Sequence, residues 1–139
     1  MKTENLILVA AIVIVVLFAF SIGFAVRGTK RLPDGGWGGQ HIQFRINNGS
    51  AEIDYDCATG KIAGPLTITS EGRFSWEGEF TREGPGPVRI DRKPRTSPAN
   101  YSGSISGDTM SLTVKLSDGT ELDSFTLKRG APGRVFKCK

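Results

Sequence analysis

Few side chains in this chain can do chemistry. Two cysteines, Cys57 and Cys138, and a single histidine, His41, are all that its 139 residues offer as thiolate or imidazole groups. A zinc site takes three or four such ligands, so no metal centre is expected, and no cofactor motif is present. His41 has no serine or cysteine placed to use it as a base, and the chain reads as a non-enzyme. Glu52, Asp54 and Asp56 share one face of a strand. Calcium needs six or more oxygens converging from loops, so pairing of this ladder with Arg45 and Lys61 is the stronger reading. The run Arg89-Ile90-Asp91-Arg92-Lys93-Pro94-Arg95 is the one concentrated basic feature. Through Arg89, Arg92, Lys93 and Arg95 it suits an anionic partner, a lipid surface or an envelope protein. A solvated proline-rich loop accounts for the same run. It lacks interleaved aromatics, so nucleic acid is not an expected partner.

These groups sit on a chain of two unlike parts. Leu6 to Val26 is a 21-residue run without a charge. At 1.5 Å per residue, a helix of that length crosses a hydrocarbon layer of about 30 Å. The sequence thus predicts a single-pass anchor over 6–26, after a short flank (1–5) and before a basic linker (27–36). The rival reading is a signal peptide with Gly23-Phe24-Ala25 as its cleavage site, which would leave a secreted domain. Residues 1–31 carry four basic groups against one acid, and residues 32–139 carry fourteen against thirteen. The sequence pI near 9.3 therefore reports a basic stop beside the membrane and one basic loop, not a nucleic-acid-binding fold. Taken literally, the positive-inside rule places the domain in the cytoplasm. The signal-like start and the cysteines argue for the other side, which is the expectation adopted.

From residue 37 onward the apolar period is two. Ile42, Phe44 and Ile46 alternate with polar residues, as do Ala51, Ile53, Tyr55 and Cys57. Ile62, Gly64, Leu66 and Ile68 continue the pattern, then Phe74, Trp76, Gly78 and Phe80. After a long loop over about 82–98 come Tyr101, Gly103 and Ile105, then Met110, Leu112, Val114 and Leu116. Leu122 falls out of step with Phe125 and Leu127, which predicts a bulge. Arg134 to Cys138 reads as a last strand, with Phe136 and Cys138 pointing inward. Asn48-Gly49, Gly107-Asp108 and Asp118-Gly119 mark tight turns. The expected fold is an all-β, eight-stranded antiparallel up-and-down meander over 37–139, closed as a barrel. Its outward set is polar, which excludes a membrane-spanning barrel. Inward aromatics crowd so small a lumen, so a mostly filled barrel with at most a shallow mouth pocket is expected.

Gly35-Gly36-Trp37 resembles the G-x-W that opens the first strand of lipocalin-like and avidin-like barrels. That resemblance implies a Trp37 plug at one barrel end, covered by a basic residue, either Arg134 or Arg129. The wider pattern resembles a group of small, uncharacterised bacterial secreted proteins and lipoproteins. The matching pieces include Trp37-Gly38-Gly39, Asp56-Cys57-Ala58-Thr59-Gly60-Lys61-Ile62, Gly107-Asp108-Thr109-Met110, Phe125-Thr126-Leu127-Lys128-Arg129-Gly130 and Phe136-Lys137-Cys138. It implies an envelope location and no particular activity.

In the meander, strands two and eight run the same way, so Cys57 and Cys138 reach the same mouth. An intervening strand one separates them by about 10 Å, whereas a disulfide needs Cα atoms within about 7 Å. Gly38 and Gly39 at the start of that strand are where a gap would open. A bridge is favoured over two buried thiols in a reducing compartment. The function expected is that of a tethered, extracytoplasmic module acting by binding or as a structural envelope protein. The alternative is a carrier of a small apolar ligand, which a lumen cavity above about 300 Å³ would favour.

Overall fold

The computed structural model describes residues 28–84, 90–91 and 93–138. The expected anchor over 6–26, its rival cleavage site, and Arg89 and Arg92 of the basic loop lie outside these residues.

Ten strands follow in chain order: β1 (Thr29–Arg31), β2 (Gly35–Gly39), β3 (Ile42–Asn47), β4 (Ser50–Tyr55), β5 (Ala58–Ile62), β6 (Thr67–Thr69), β7 (Arg73–Arg82), β8 (Arg95–Ser106), β9 (Thr109–Leu116) and β10 (Glu121–Arg129). Eight close into an antiparallel barrel in the order β10-β2-β3-β4-β5-β7-β8-β9. β1 and β6 form a separate two-stranded ribbon. The all-β closed barrel is as expected, but its membership differs from the sequence reading in three places.

First, Gly35–Gly39 is a barrel strand in its own right, paired with both β3 and β10. Second, the run 62–68 is not one strand. It leaves the barrel after Ile62, turns at Gly64 (φ 85°), and pairs Thr67–Thr69 with β1. Third, Arg134 to Cys138 is not a barrel strand, because β2 already closes the sheet against β10. Arg134 makes only an isolated parallel bridge with Gln40, and the Phe136 side chain points to solvent at 63% exposure. The long loop is also shorter than expected, since β7 runs to Arg82 and β8 begins at Arg95. The bulge stands where the phase slip put it, as a register shift between Glu121 and Asp123.

The lumen is packed. Trp37, Ile42, Phe44, Ile53, Tyr101, Met110, Leu112, Val114 and Leu127 are each at most 1% exposed. Glycines 78 and 103 face inward, and an added Cβ there would come within 3.0 Å of the Tyr101 and Phe74 rings respectively. An added Cβ would first meet the Lys61 and Ser111 carbonyl oxygens, so the missing side chains make room for neighbouring backbone as well as for the aromatics, and not for a ligand. One barrel end is capped by the β1–β6 ribbon. There Leu32 and Leu66 are buried, the Leu32 N–H donates to Leu66 O (2.9 Å), and Trp76 Nε1–H donates to Thr67 O (2.9 Å).

After β10 the tail climbs the outside of β2 and β3 from the closed end to the open one. It lies flat because each side of the crossing carries a glycine, Gly38 on the sheet and Gly133 on the tail. A Cβ on Gly38 would run into the Ala131 carbonyl, and one on Gly133 into Ile42 O and Gln43. Gln43 fastens the crossing, accepting the Gly133 N–H on Oε1 (2.6 Å) and donating Nε2–H to Trp37 O (3.1 Å).

Candidate functional site at the open end of the barrel

Among the described residues no segment caps the other end of the barrel, where one strand stops early. β2 pairs with β10 only through Leu127–Arg129. Residues 121–126 of β10 run on past the β2–β3 turn at Gln40-His41, paired on their other side with β9. The notch opens onto a pocket of about 360 Å³ lined by His41, Tyr55, Asp56, Ala58, Phe80, Val114, Leu122, Asp123 and Phe125. Its walls come from seven strands or turns, so it belongs to the whole mouth.

Three aromatics form its apolar body. The Tyr55 ring lies 5.5 Å from Phe80 and 5.4 Å from Phe125, centroid to centroid, both tilted. Tilted rings at this spacing are mutually favourable. Tyr55 is 4% exposed and its hydroxyl has no hydrogen-bond partner among the described residues. Burial, and then the neighbouring Tyr101 phenol, push its pKa above the ordinary phenol range. Tyr101 donates its own O–H to Glu79 O (2.7 Å), and burial pushes its pKa up to about 12. Both phenols therefore stay neutral, and an unsatisfied hydroxyl is left on a pocket-lining residue.

The rim is polar and internally tied. His41 adopts a left-handed conformation (φ 64°) in the β2–β3 turn. That turn carries its ring to Asp56 in the β4–β5 turn, with Nδ1 2.5 Å from Oδ2. Oδ1 of Asp56 accepts the Phe136 N–H (2.7 Å). That backbone hydrogen bond, followed by the His41 contact, holds the Asp56 carboxyl below the usual carboxylate range. Arg134 donates its N–H to Gly39 O (3.0 Å) and accepts the His41 N–H (2.8 Å). Lys137 Nζ lies 3.5 Å from Asp54 and 3.7 Å from Glu83. The tail is thus stitched to the mouth at each step.

Cys57 and Cys138 are joined in a disulfide, with Cα atoms 5.0 Å apart. The pairing is the favoured one, but its route differs from the meander argument. Cys57 sits in a turn (φ 58°), not on an inward strand position. Cys138 arrives from outside the barrel, so strand one never lies between them.

Trp37 is 1% exposed, and Arg129 lies over its ring, 4.4 Å from guanidinium carbon to centroid. Of the two basic candidates, Arg129 covers Trp37, while Arg134 belongs to the tail seam. Two members of the carboxylate ladder, Asp54 and Asp56, are held by neighbours. Arg45 Nη2 meets Asp54 at 2.6 Å, Glu52 stands opposite Arg45 and Lys61, and Asp56 holds His41. Lys93 and Arg95 are exposed, at the root of the basic loop beside the same mouth. A second depression, lined by Gly35, Gly36, Gln43, Arg45, Ile46, Asn47 and 130–132, lies outside the barrel and gathers no aromatic side chain.

The sequence offers no partner for His41 and does not mark Asp123, Leu122, Phe125 or Arg82 as mouth residues. The one available signal was the phase slip at Leu122, since bulges collect at barrel rims. The chain matches no protein-family model, no curated protein and no solved structure.

Proposed function

We propose that this chain is a membrane-tethered, extracytoplasmic barrel that takes a small, mainly apolar molecule into its open mouth. The observation that carries this reading is the pocket of about 360 Å³ with three aromatic rings inside, one of them bearing the Tyr55 hydroxyl, and with His41, Asp56 and Asp123 at the rim. Ligand sites start at about 300 Å³ and show this division between apolar walls and a few placed polar groups. The reading is of a binding protein, not an enzyme. His41 and Asp56 are committed to each other and to the tail, and Cys57 is bonded to Cys138.

The tether rests on the spanning length of 6–26, and the location on the disulfide and the motif resemblance to secreted barrels. The position of β1 supports a direction for the domain in this reading. β1 begins at Thr29 and lies on the closed end. Only Arg27 and Gly28 separate it from Val26, a reach of about 10 Å. A barrel held this way stands on its closed end and turns its mouth, with the root of the basic loop, away from its own bilayer.

The test uses full-length protein in phosphatidylcholine nanodiscs with 1-octanol as a neutral probe. Saturation-transfer NMR is expected to show octanol bound, above empty discs. Leu122→Trp fills the mouth and should abolish that signal. An undiminished signal in the variant, or none in the wild type, overturns the reading.

A further inference from the structure

We infer that the mouth selects a single-chain amphiphile with an anionic head, its tail among Tyr55, Phe80 and Phe125 and its head on Arg82 and Arg95. The inference rests on the mouth-pocket reading and adds the charge of the ligand to it.

Strand alternation places both arginines. Phe74, Trp76 and Phe80 are buried on β7, so Arg82 is the next inward position beyond Phe80 at the open end. Tyr101 and Ala99 are buried on β8 and Ser97 is half-buried, so Arg95 is the next inward position there. The two stand directly opposite each other, and Arg82 also stands opposite Ala58 on β5. Ala58 and Phe80 line the pocket. The two arginines therefore stand on the rung next to its wall, outside the lining itself, and both residues are exposed.

Like charges directly opposite in a sheet repel. Among the described residues no carboxylate is paired with either of them. Asp56 is engaged by His41 and Phe136, Glu83 by Lys137, and one oxygen of Asp123 by the Ser124 N–H (2.9 Å), while Asp91, exposed in the loop between the two arginines, pairs with neither. The loop positions outside the described set, 85–89 and 92, are Pro, Gly, Pro, Val, Arg and Arg, with no acid among them. Two guanidinium forks side by side match the paired oxygens of a carboxylate or phosphate. A pocket of about 360 Å³ holds about a dozen non-hydrogen atoms at the ~30 Å³ that water occupies in the liquid. That suits one short chain, not a two-tailed lipid.

The experiment compares octanoate, octyl phosphate, 1-octanol and octyltrimethylammonium on full-length protein in phosphatidylcholine nanodiscs, with empty discs subtracted. Octanoate and octyl phosphate are expected to bind about tenfold tighter than octanol, and added salt to erase the difference. In R82Q/R95Q that preference should vanish while octanol binding stays, which also shows that the variant is folded. K61Q, an outward charge change, should keep the preference. Equal binding of octanol and octanoate to the wild type overturns the anionic head and leaves the pocket reading standing. Preference for octyltrimethylammonium, or a preference that survives R82Q/R95Q, overturns it too. Failure of every probe removes the pocket reading with it. Sedimentation with phosphatidylglycerol vesicles, without octanoate binding, would mean that the arginines read a membrane surface and not a single chain.

Discussion

The Asp56 carboxylate accepts the backbone N–H of Phe136, a residue 80 positions later in the chain, at 2.7 Å. This contact fixes the end of the tail to the rim of the mouth. It also sets the carboxyl's acidity, since a hydrogen bond to the charged form favours ionisation. A group whose folded pKa lies below its unfolded value contributes stability above the unfolded pKa, and that contribution is lost as pH falls through the folded one. Wild type and Asp56→Asn should therefore differ in Tm near pH 6 and converge on acidification from about pH 4 downward. Thermal melts across that range check this, and a gap constant with pH contradicts it.

The Cys57–Cys138 bond spans 81 residues of chain. In the chain-entropy model, closing such a loop stabilises by roughly 4 kcal/mol. The double variant C57S/C138S should lose stability of that order in urea unfolding, measured against the wild type without reductant. Hydrogen exchange should show faster exchange of the Arg134 and Phe136 amides, with the barrel strands still protected. Loss of protection in β3 and β4 instead would mean that the bond holds the barrel and not the tail.

Gly38 and Gly36 stand two residues apart on the same strand and separate two explanations of its glycines. A Cβ at 38 collides with the Ala131 carbonyl, whereas one at 36 meets nothing nearer than Gln43 Nε2 at 3.7 Å. Gly38→Ala should cost about 1–3 kcal/mol by forcing the tail off the sheet, and Gly36→Ala should cost little. Urea midpoints of both variants decide. Equal effects would point to strand propensity and not to tail packing.

Arg129 lies over the buried Trp37 ring, and Arg134 does not. Arg129→Ala should destabilise by about 1 kcal/mol through the lost cation–π contact. Arg134→Ala should fall within about 0.5 kcal/mol of wild type, since its seam bonds are made by the backbone. Asp108→Asn should also be near neutral, because its pair with Arg129 is exposed. The reverse order for the two arginines would contradict the assignment.

The sequence makes the middle of the barrel plain. Alternation in Ile42-Phe44-Ile46 or Met110-Leu112-Val114, bounded by Asn48-Gly49 and Asp118-Gly119, leaves little freedom in phase or register. It hides both ends. Four of the five residues in Gly35–Gly39 are glycine, so no side-chain period marks that strand. The tail imitates a strand, with Phe136 and Cys138 in phase, although it runs outside the sheet. Treating the tail as the eighth strand also obscured the site. The mouth exists because β2 ends at Gly39 while β10 continues, a mismatch in strand length that no local pattern encodes. The disulfide could be anticipated from the cysteine count and expected compartment, but not from the strand geometry, since a turn and a tail make it.

The central claim is that a small apolar molecule enters the open end. Methyl-resolved NMR of full-length protein in phosphatidylcholine nanodiscs, titrated with 1-octanol, tests it most directly. The account predicts shifts confined to Ala58, Val114 and Leu122 around the mouth, with Leu32, Ile46 and Leu66 at the closed end unmoved. Shifts at the closed-end methyls, or none anywhere beyond those of the lipid, would contradict it.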